Sequence, residues 1–170
     1  MMQNIKKSLK ESTKACEDVE DIEDLWYQIA TRAKSHLHTE IAGLTITEED
    51  LDPKSVTDPN PIAETRVELV DGELFVDIYI DSAFYALKPD WQAAVIVHEM
   101  GHAEDAYRLY DKLLAGEATV SDWKKKANPS GGHDASWKSI TRELANACGV
   151  KADMALITTI DFTDDSLFLD

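Results

Sequence analysis

Apolar residues recur every three or four positions from Trp91 to Leu113, and two histidines take places in that series. The series consists of Trp91, Val95, His98, His102, Ala106, Leu109 and Leu113. This period predicts one long helix whose inward face carries both histidines. Pro89 suits a first helical turn and Gly116 suits a left-handed helix end, so the helix is predicted from about Pro89 to about Ala115.

Two other segments show the same helical period. Residues 3–38 are predicted helical in one or two pieces, with Asp21 as the N-cap of the second piece and an inward face of Ile22, Leu25, Trp26, Ile29, Ala33 and Leu37. A turn-forming run at residues 128–132 precedes His133 and a helix ending near Gly149, whose inward residues are Trp137, Ile140, Leu144 and Ala147. His133 lies one helical turn before Trp137 and therefore heads that inward face.

From Thr65 the period changes to two, which indicates β-strands. Apolar positions alternate with polar or aromatic ones on both sides of Asp71-Gly72, a pair typical of a two-residue hairpin turn. If the second strand lies at a sheet edge near the long helix, an extended peptide could pair with it. Residues 43–64, with three prolines, have the composition of a loop, and residues 155–162 contain a possible strand.

The two histidines belong to the sequence His98-Glu99-Met100-Gly101-His102, which has the HExxH spacing of zinc hydrolases. Residues four apart share a helical face, so the two imidazoles can hold one metal ion with Glu99 beside it. Two ordinary core histidines are the alternative, but burying these polar groups without partners would cost about 2 kcal/mol or more for each unsatisfied group. The pattern therefore predicts a Zn²⁺ site.

A catalytic zinc site usually has three protein ligands and one position for water, so a third ligand must come from elsewhere. His133 is the best candidate, because it is a nitrogen donor at a helix start behind Gly131-Gly132. Asp134 and Glu143 are the alternatives. His36 and His38 are two positions apart and cannot share a helical face, so they are predicted to be solvated.

Composition limits the classes of protein that fit this chain. A length of 170 residues and 44% hydrophobic residues indicate one soluble domain, predicted as α+β. The net charge of −16, from 33 acidic and 17 basic residues, disfavours direct DNA binding and binding to anionic membranes. Cys16 and Cys148 match no zinc pattern and are predicted to be free thiols. No apolar leader or membrane span is evident, so a cytoplasmic location is expected.

The basic run Lys124-Lys125-Lys126 lies in a short helix predicted at about residues 121–127. A solvated helix face is the simpler interpretation of this run, and a contact for an acidic substrate or a phosphate is the alternative.

The chain resembles the SprT-like (Spartan-type) zinc metalloproteases in two motifs. These are a strand leading into the His98–Ala103 helix and a later His133 followed four residues on by Trp137. The resemblance covers roughly residues 20–150 and implies a small zincin-like domain with an N-terminal helix, a short hairpin or sheet, the HExxH helix and a further helix. It divides residues 1–170 into an N-terminal region at 1–60, a catalytic core at 65–150 and a tail at 151–170.

The resemblance also implies that His98, His102 and His133 bind zinc and that Glu99 is catalytic in a zinc metalloendopeptidase with a protein or peptide substrate. Asp134 stands where many members have glycine, and the cysteine-based zinc ribbon of some members is missing. A weaker likeness to the ImmA/IrrE-type peptidases would make Glu143 the third ligand.

The expected mechanism gives Glu99 the role of general base for a zinc-activated water. Tyr107, Lys138 and Arg142 are equal candidates for stabilising the oxyanion, and Asp105 is a candidate acceptor for the second N–H of His102. Two other functions stay open, a zinc-stabilised binding module without turnover and an amide hydrolase acting on something other than protein.

Overall fold

The computed structural model describes residues 22–38, 44–49, 51, 62–126, 132–158 and 164–169. The helices are α1 (Ile22–Ala33), α2 (Pro89–Leu114), α3 (Val120–Lys126), α4 (Ala135–Cys148) and α5 (Ala152–Ala155), and the strands are β1 (Leu44–Glu48), β2 (Ala63–Val70) and β3 (Glu73–Ile80). This mixture confirms the α+β class. The predicted helix before residue 22, the Asp21 cap and the Cys16 thiol lie outside the described residues.

The three strands form one sheet in the order β1-β3-β2. β2 and β3 are antiparallel and are joined by Asp71 and Gly72, both with positive φ, which confirms the predicted hairpin turn. The alternation in β3 buries Val76, Ile78 and Ile80 against the helices, as expected from its apolar face.

One prediction about this sheet is wrong, and the condition attached to another is not met. β1 pairs in parallel with β3, although residues 43–64 were predicted to be a loop. Leu44-Thr45-Ile46-Thr47 alternates apolar and β-branched polar residues, which is typical of a short strand. The three prolines further along the segment favour a loop and obscure this short pattern. Because β1 and β2 flank β3, the second hairpin strand is central and does not lie at a sheet edge.

The long helix α2 has nearly the predicted bounds, with Pro89 at its start and Gly116 in the left-handed conformation after its end. Its middle is buried on more faces than a single stripe would give, because α1, α4, α5 and the sheet all contact it. Glu99, Glu104 and Asp105 are therefore buried together with the apolar residues. These carboxylates have to find partners inside the protein.

α1 and α4 complete the core around α2. All five predicted α1 residues from Ile22 to Ala33 are buried and Leu37 packs against them, as predicted. In α4, Trp137, Ile140 and Leu144 are buried as predicted, and Gly149 caps the helix in the left-handed conformation.

The tail adds short helical turns to this core. α5 follows α4, and Leu167 is buried while Phe168 bridges Leu87 just before α2. The strand predicted at 155–162 is not present in its described part, since residue 155 ends α5 and residues 156–158 belong to no strand. No described helix combines the length and the apolar character that crossing a membrane requires.

Candidate metal centre

Three histidine side chains converge between α2 and α4. His98 and His102 lie one turn apart on α2, and His133 lies two residues before α4. The Nε2 atom of His133 is 3.1 Å from Nε2 of His102 and 3.2 Å from Nε2 of His98. Ligands about 2.05 Å from a tetrahedral zinc ion would be about 3.3 Å apart. The sequence-predicted trio is therefore brought together at a spacing that can hold a metal ion.

The orientation of the His98 ring is fixed from behind. Its Nδ1 lies 2.9 Å from the carbonyl oxygen of Ala155 in α5, and a carbonyl can only accept a hydrogen bond. His98 therefore carries its proton on Nδ1, which leaves the Nε2 lone pair facing the other two histidines. This lone pair, directed at two further imidazole nitrogens, fits a bound cation.

Trp137 forms an apolar wall behind all three imidazoles. Its ring centroid lies 4.5–5.0 Å from theirs, and the indole is stacked on His102 at an interplanar angle of 20°. Trp137 is itself fully buried. The wall restricts the rotation of the three rings and keeps water away from one side of the cluster.

The histidines are neutral at physiological pH. Burial lowers the pKa of His98 to about 4, with an opposing effect of the Ala155 hydrogen bond. Burial and the charge of His98 lower the pKa of His133 to about 4, and burial followed by the neighbouring charges lowers the pKa of His102 well below its usual value. Neutral imidazole is the form that binds metals.

Glu99 points from α2 toward the sheet and is 4% exposed. Thr65 of β2 donates its hydroxyl proton to Oε2 of Glu99 at 2.6 Å, and the same hydroxyl lies 3.3 Å from the Glu99 carbonyl oxygen. Burial raises the pKa of Glu99 to about 7, and the Thr65 hydrogen bond opposes that shift. A carboxyl group with this pKa can both take and give a proton near neutral pH.

Gly101 allows α2 and α4 to approach closely at the centre. A Cβ atom on Gly101 would lie 2.1 Å from Oγ1 of Thr141 and 3.2 Å from Nε1 of Trp137. The side chain of any other residue would force Thr141 and Trp137 of α4 to shift. The glycine inside the HExxH sequence therefore has a packing role.

The other candidates of the sequence analysis lie elsewhere. Glu143 pairs with His36 at 2.8 Å and approaches Arg108, so it does not join the histidine cluster. Asp134 caps α4 by accepting from the Trp137 amide at 3.1 Å. His38 is exposed, as predicted, whereas His36 is half-buried and pairs with Glu143.

Two further expectations about polar residues are wrong. Asp105 accepts a hydrogen bond from the Ser136 hydroxyl at 2.6 Å and pairs with Lys126. Its carboxylate therefore does not serve as the acceptor for His102. Lys126 accordingly does not belong to a solvated face, unlike the exposed Lys124 and Lys125.

Comparisons of the chain with protein-family models, with curated proteins and with solved structures return no match.

Sequence reasoning missed two residues that orient the site, Thr65 and Ala155. Thr65 was visible only as an inward position of a strand, and its partner Glu99 is 34 residues away. Ala155 acts through its backbone carbonyl, which its side chain does not signal. Of the oxyanion candidates, Lys138 and Arg142 are exposed and Tyr107 is half-buried.

Proposed function

We propose that this protein is a zinc-dependent metallopeptidase with a zincin-like, SprT-like arrangement. The observation that supports it best is the convergence of three neutral imidazole Nε2 atoms, two of them from the helix that also carries the buried carboxylate of Glu99. His98, His102 and His133 would hold the ion. Three nitrogen ligands suit Zn²⁺ and leave a coordination position for a reactant, whereas structural zinc sites are usually closed by four ligands.

The chemistry that zinc supplies when bound is to lower the pKa of water and to polarise a carbonyl group. The residues of the chain supply the proton transfers and the positioning. Glu99 takes a proton from the attacking water at one carboxylate oxygen, while Thr65 holds the other oxygen. Glu99 then delivers that proton to the departing amine nitrogen.

A peptide is the proposed substrate because of the position of β2. Among the described strands β2 has a neighbour on one side only, and its Thr65 touches the proposed base. In the described part of the chain, the side of β2 away from β3 pairs with no strand, and its backbone donors and acceptors would suit an extended chain. A substrate strand paired there would run close to Glu99.

The test compares the zinc-loaded parent with Glu99→Gln on a proteome-derived peptide library, with cleavage products identified by mass spectrometry. The parent should generate new peptide ends, and the variant should be at least about 100-fold slower, as expected for loss of a general base. Both proteins should bind one equivalent of zinc, and His133→Ala should bind it more weakly.

Two outcomes would contradict this proposal. Equal cleavage by the parent and Glu99→Gln would show that the activity does not depend on the proposed base. Full zinc binding with no cleavage by the parent would favour a zinc-stabilised binding module or an amide hydrolase with a non-protein substrate. Coordination by Glu143 would require it to leave His36 and Arg108, so the ImmA/IrrE-type arrangement has no support from these contacts.

A further inference from the structure

Lys126, the last residue of α3, spans the segment that leads to the third histidine. Its ammonium pairs with Asp105 of α2 and with Asp134, at 2.8 Å for the latter. The Lys126 side chain is 15% exposed and that of Asp105 is 4% exposed, so the first pair is shielded from solvent. Asp134 directly follows His133 in the chain.

The residues after His133 are tied to α2 a second time. Oδ1 of Asp134 accepts from the Trp137 amide as the N-cap of α4, and Ser136 donates to Oδ1 of Asp105 at 2.6 Å. Asp105 is three residues beyond His102 on the same helix. One buried carboxylate on the helix with two ligands thus anchors both ends of the segment that carries the third.

We propose that Lys126 is a positioning residue for the metal centre, because its two ion pairs hold His133 in the arrangement that binds the ion. The proposal rests on the metal site of the proposed function but not on peptidase activity. Without Lys126, the end of α3 and the start of α4 are no longer tied across the intervening residues. His133 then has to be ordered when the ion binds, which lowers affinity.

The sign of the effect separates positioning from simple electrostatics. Lys126, Asp105 and Asp134 together carry a net charge of −1, and loss of the lysine makes it −2. By charge alone, replacing Lys126 with a neutral residue would strengthen the binding of a cation. Positioning predicts the opposite, weaker zinc binding.

The experiment measures the zinc affinity of Lys126→Met by competition with a chromophoric chelator and the Co²⁺ absorption spectrum of the site. Loss of a supporting partner typically costs about 10–100-fold in metal affinity, and we expect a loss in that range with a weakened tetrahedral Co²⁺ band. Lys125→Met removes the neighbouring exposed lysine and should bind zinc like the parent.

Lys126→Met leaves Asp105 buried without its cation, so a folding defect could imitate the expected loss. The variant Lys126→Met/Asp105→Asn removes both charges and keeps an acceptor for Ser136. Its circular dichroism should match the parent while its zinc affinity stays reduced. Zinc binding by Lys126→Met or by the double variant that is equal to or tighter than that of the parent overturns the inference, and so does an equal loss in Lys125→Met. A parent that binds no zinc would instead refute the proposed function.

Discussion

Replacing Gly101 with alanine tests the close approach of the two helices that carry the metal ligands. The new Cβ would lie 2.1 Å from Oγ1 of Thr141 and 3.2 Å from both Cβ of Thr141 and Nε1 of Trp137. The Thr141 hydroxyl could turn away, but the indole contact would persist. Thr141 and the Trp137 indole therefore have to shift to make room for the new methyl group.

The magnitude follows from two opposing effects. Overpacking a core costs roughly 1–3 kcal/mol, and this contact belongs at the upper end. Alanine in place of glycine within a helix returns about 1 kcal/mol. We expect Gly101→Ala to lose about 2 kcal/mol of unfolding free energy, which lowers Tm by roughly 4–8 °C for a chain of this size.

A double-mutant cycle with Thr141→Ala identifies the cause. Oγ1 of Thr141 is buried and has no hydrogen-bond partner in the described part of the chain, so its removal costs little beyond a methyl group, about 1 kcal/mol. Because the second change removes the closest of the clashing atoms, the double variant should lose about 1.5 kcal/mol rather than the additive value of about 3.

Urea denaturation of the four proteins, metal-free and at one pH, provides the assay. A Gly101→Ala variant as stable as the parent would refute the reasoning about close packing. Strict additivity in the cycle would show that Thr141 is not the neighbour that resists the new methyl group.

Three other predictions follow from the site and the core. Thr65→Val should lower kcat of the proposed reaction about 10-fold with unchanged zinc content, because Glu99 loses a hydrogen bond. Thr65→Ser regains that hydrogen bond and should restore kcat. Equal kcat values for the two variants would remove Thr65 from the mechanism. Because burial raises the pKa of Cys148 to about 11, its thiol should react with Ellman's reagent at pH 8 only after denaturation, and rapid native labelling would contradict this. The lowered pKa values of the three ligand histidines mean that the unfolded chain binds more protons than the folded one between about pH 4 and 6.5. The urea midpoint of chelator-treated protein should therefore fall as the pH drops through that window. The raised pKa of Glu99 acts in the opposite direction but is one group against three, and a midpoint that rises would refute the assignment.

Those parts of the fold that depend on local periodicity could be predicted from the sequence. The bounds of α2, the hairpin turn at Asp71-Gly72 and the inward face of α1 all follow from spacing and from residues with special backbone preferences. His133 was placed beside the other histidines because it continues the inward face of α4. Local pattern carries this information without knowledge of the tertiary structure.

The unpredicted parts depend on contacts between distant segments. The parallel pairing of β1 with β3 brings together residues about 30 positions apart, and a five-residue strand gives a weak periodic signal. The run of three lysines predicts a solvated surface at Lys126, because the burial of its partner Asp105 depends on how α2, α3 and α4 pack. The sequence alone does not show which distant residues these segments contact in the folded protein.

The hydrogen bond from His98 to the Ala155 carbonyl determines when the histidine cluster can form during synthesis and folding. These two residues are 57 positions apart, so a chain emerging from the ribosome has both HExxH histidines long before the group that fixes the first ring. During synthesis the His98 imidazole lacks this hydrogen-bond acceptor until α5 has been made and has docked. The fully oriented cluster is therefore a late product of folding, available only to a chain that has extended past residue 155.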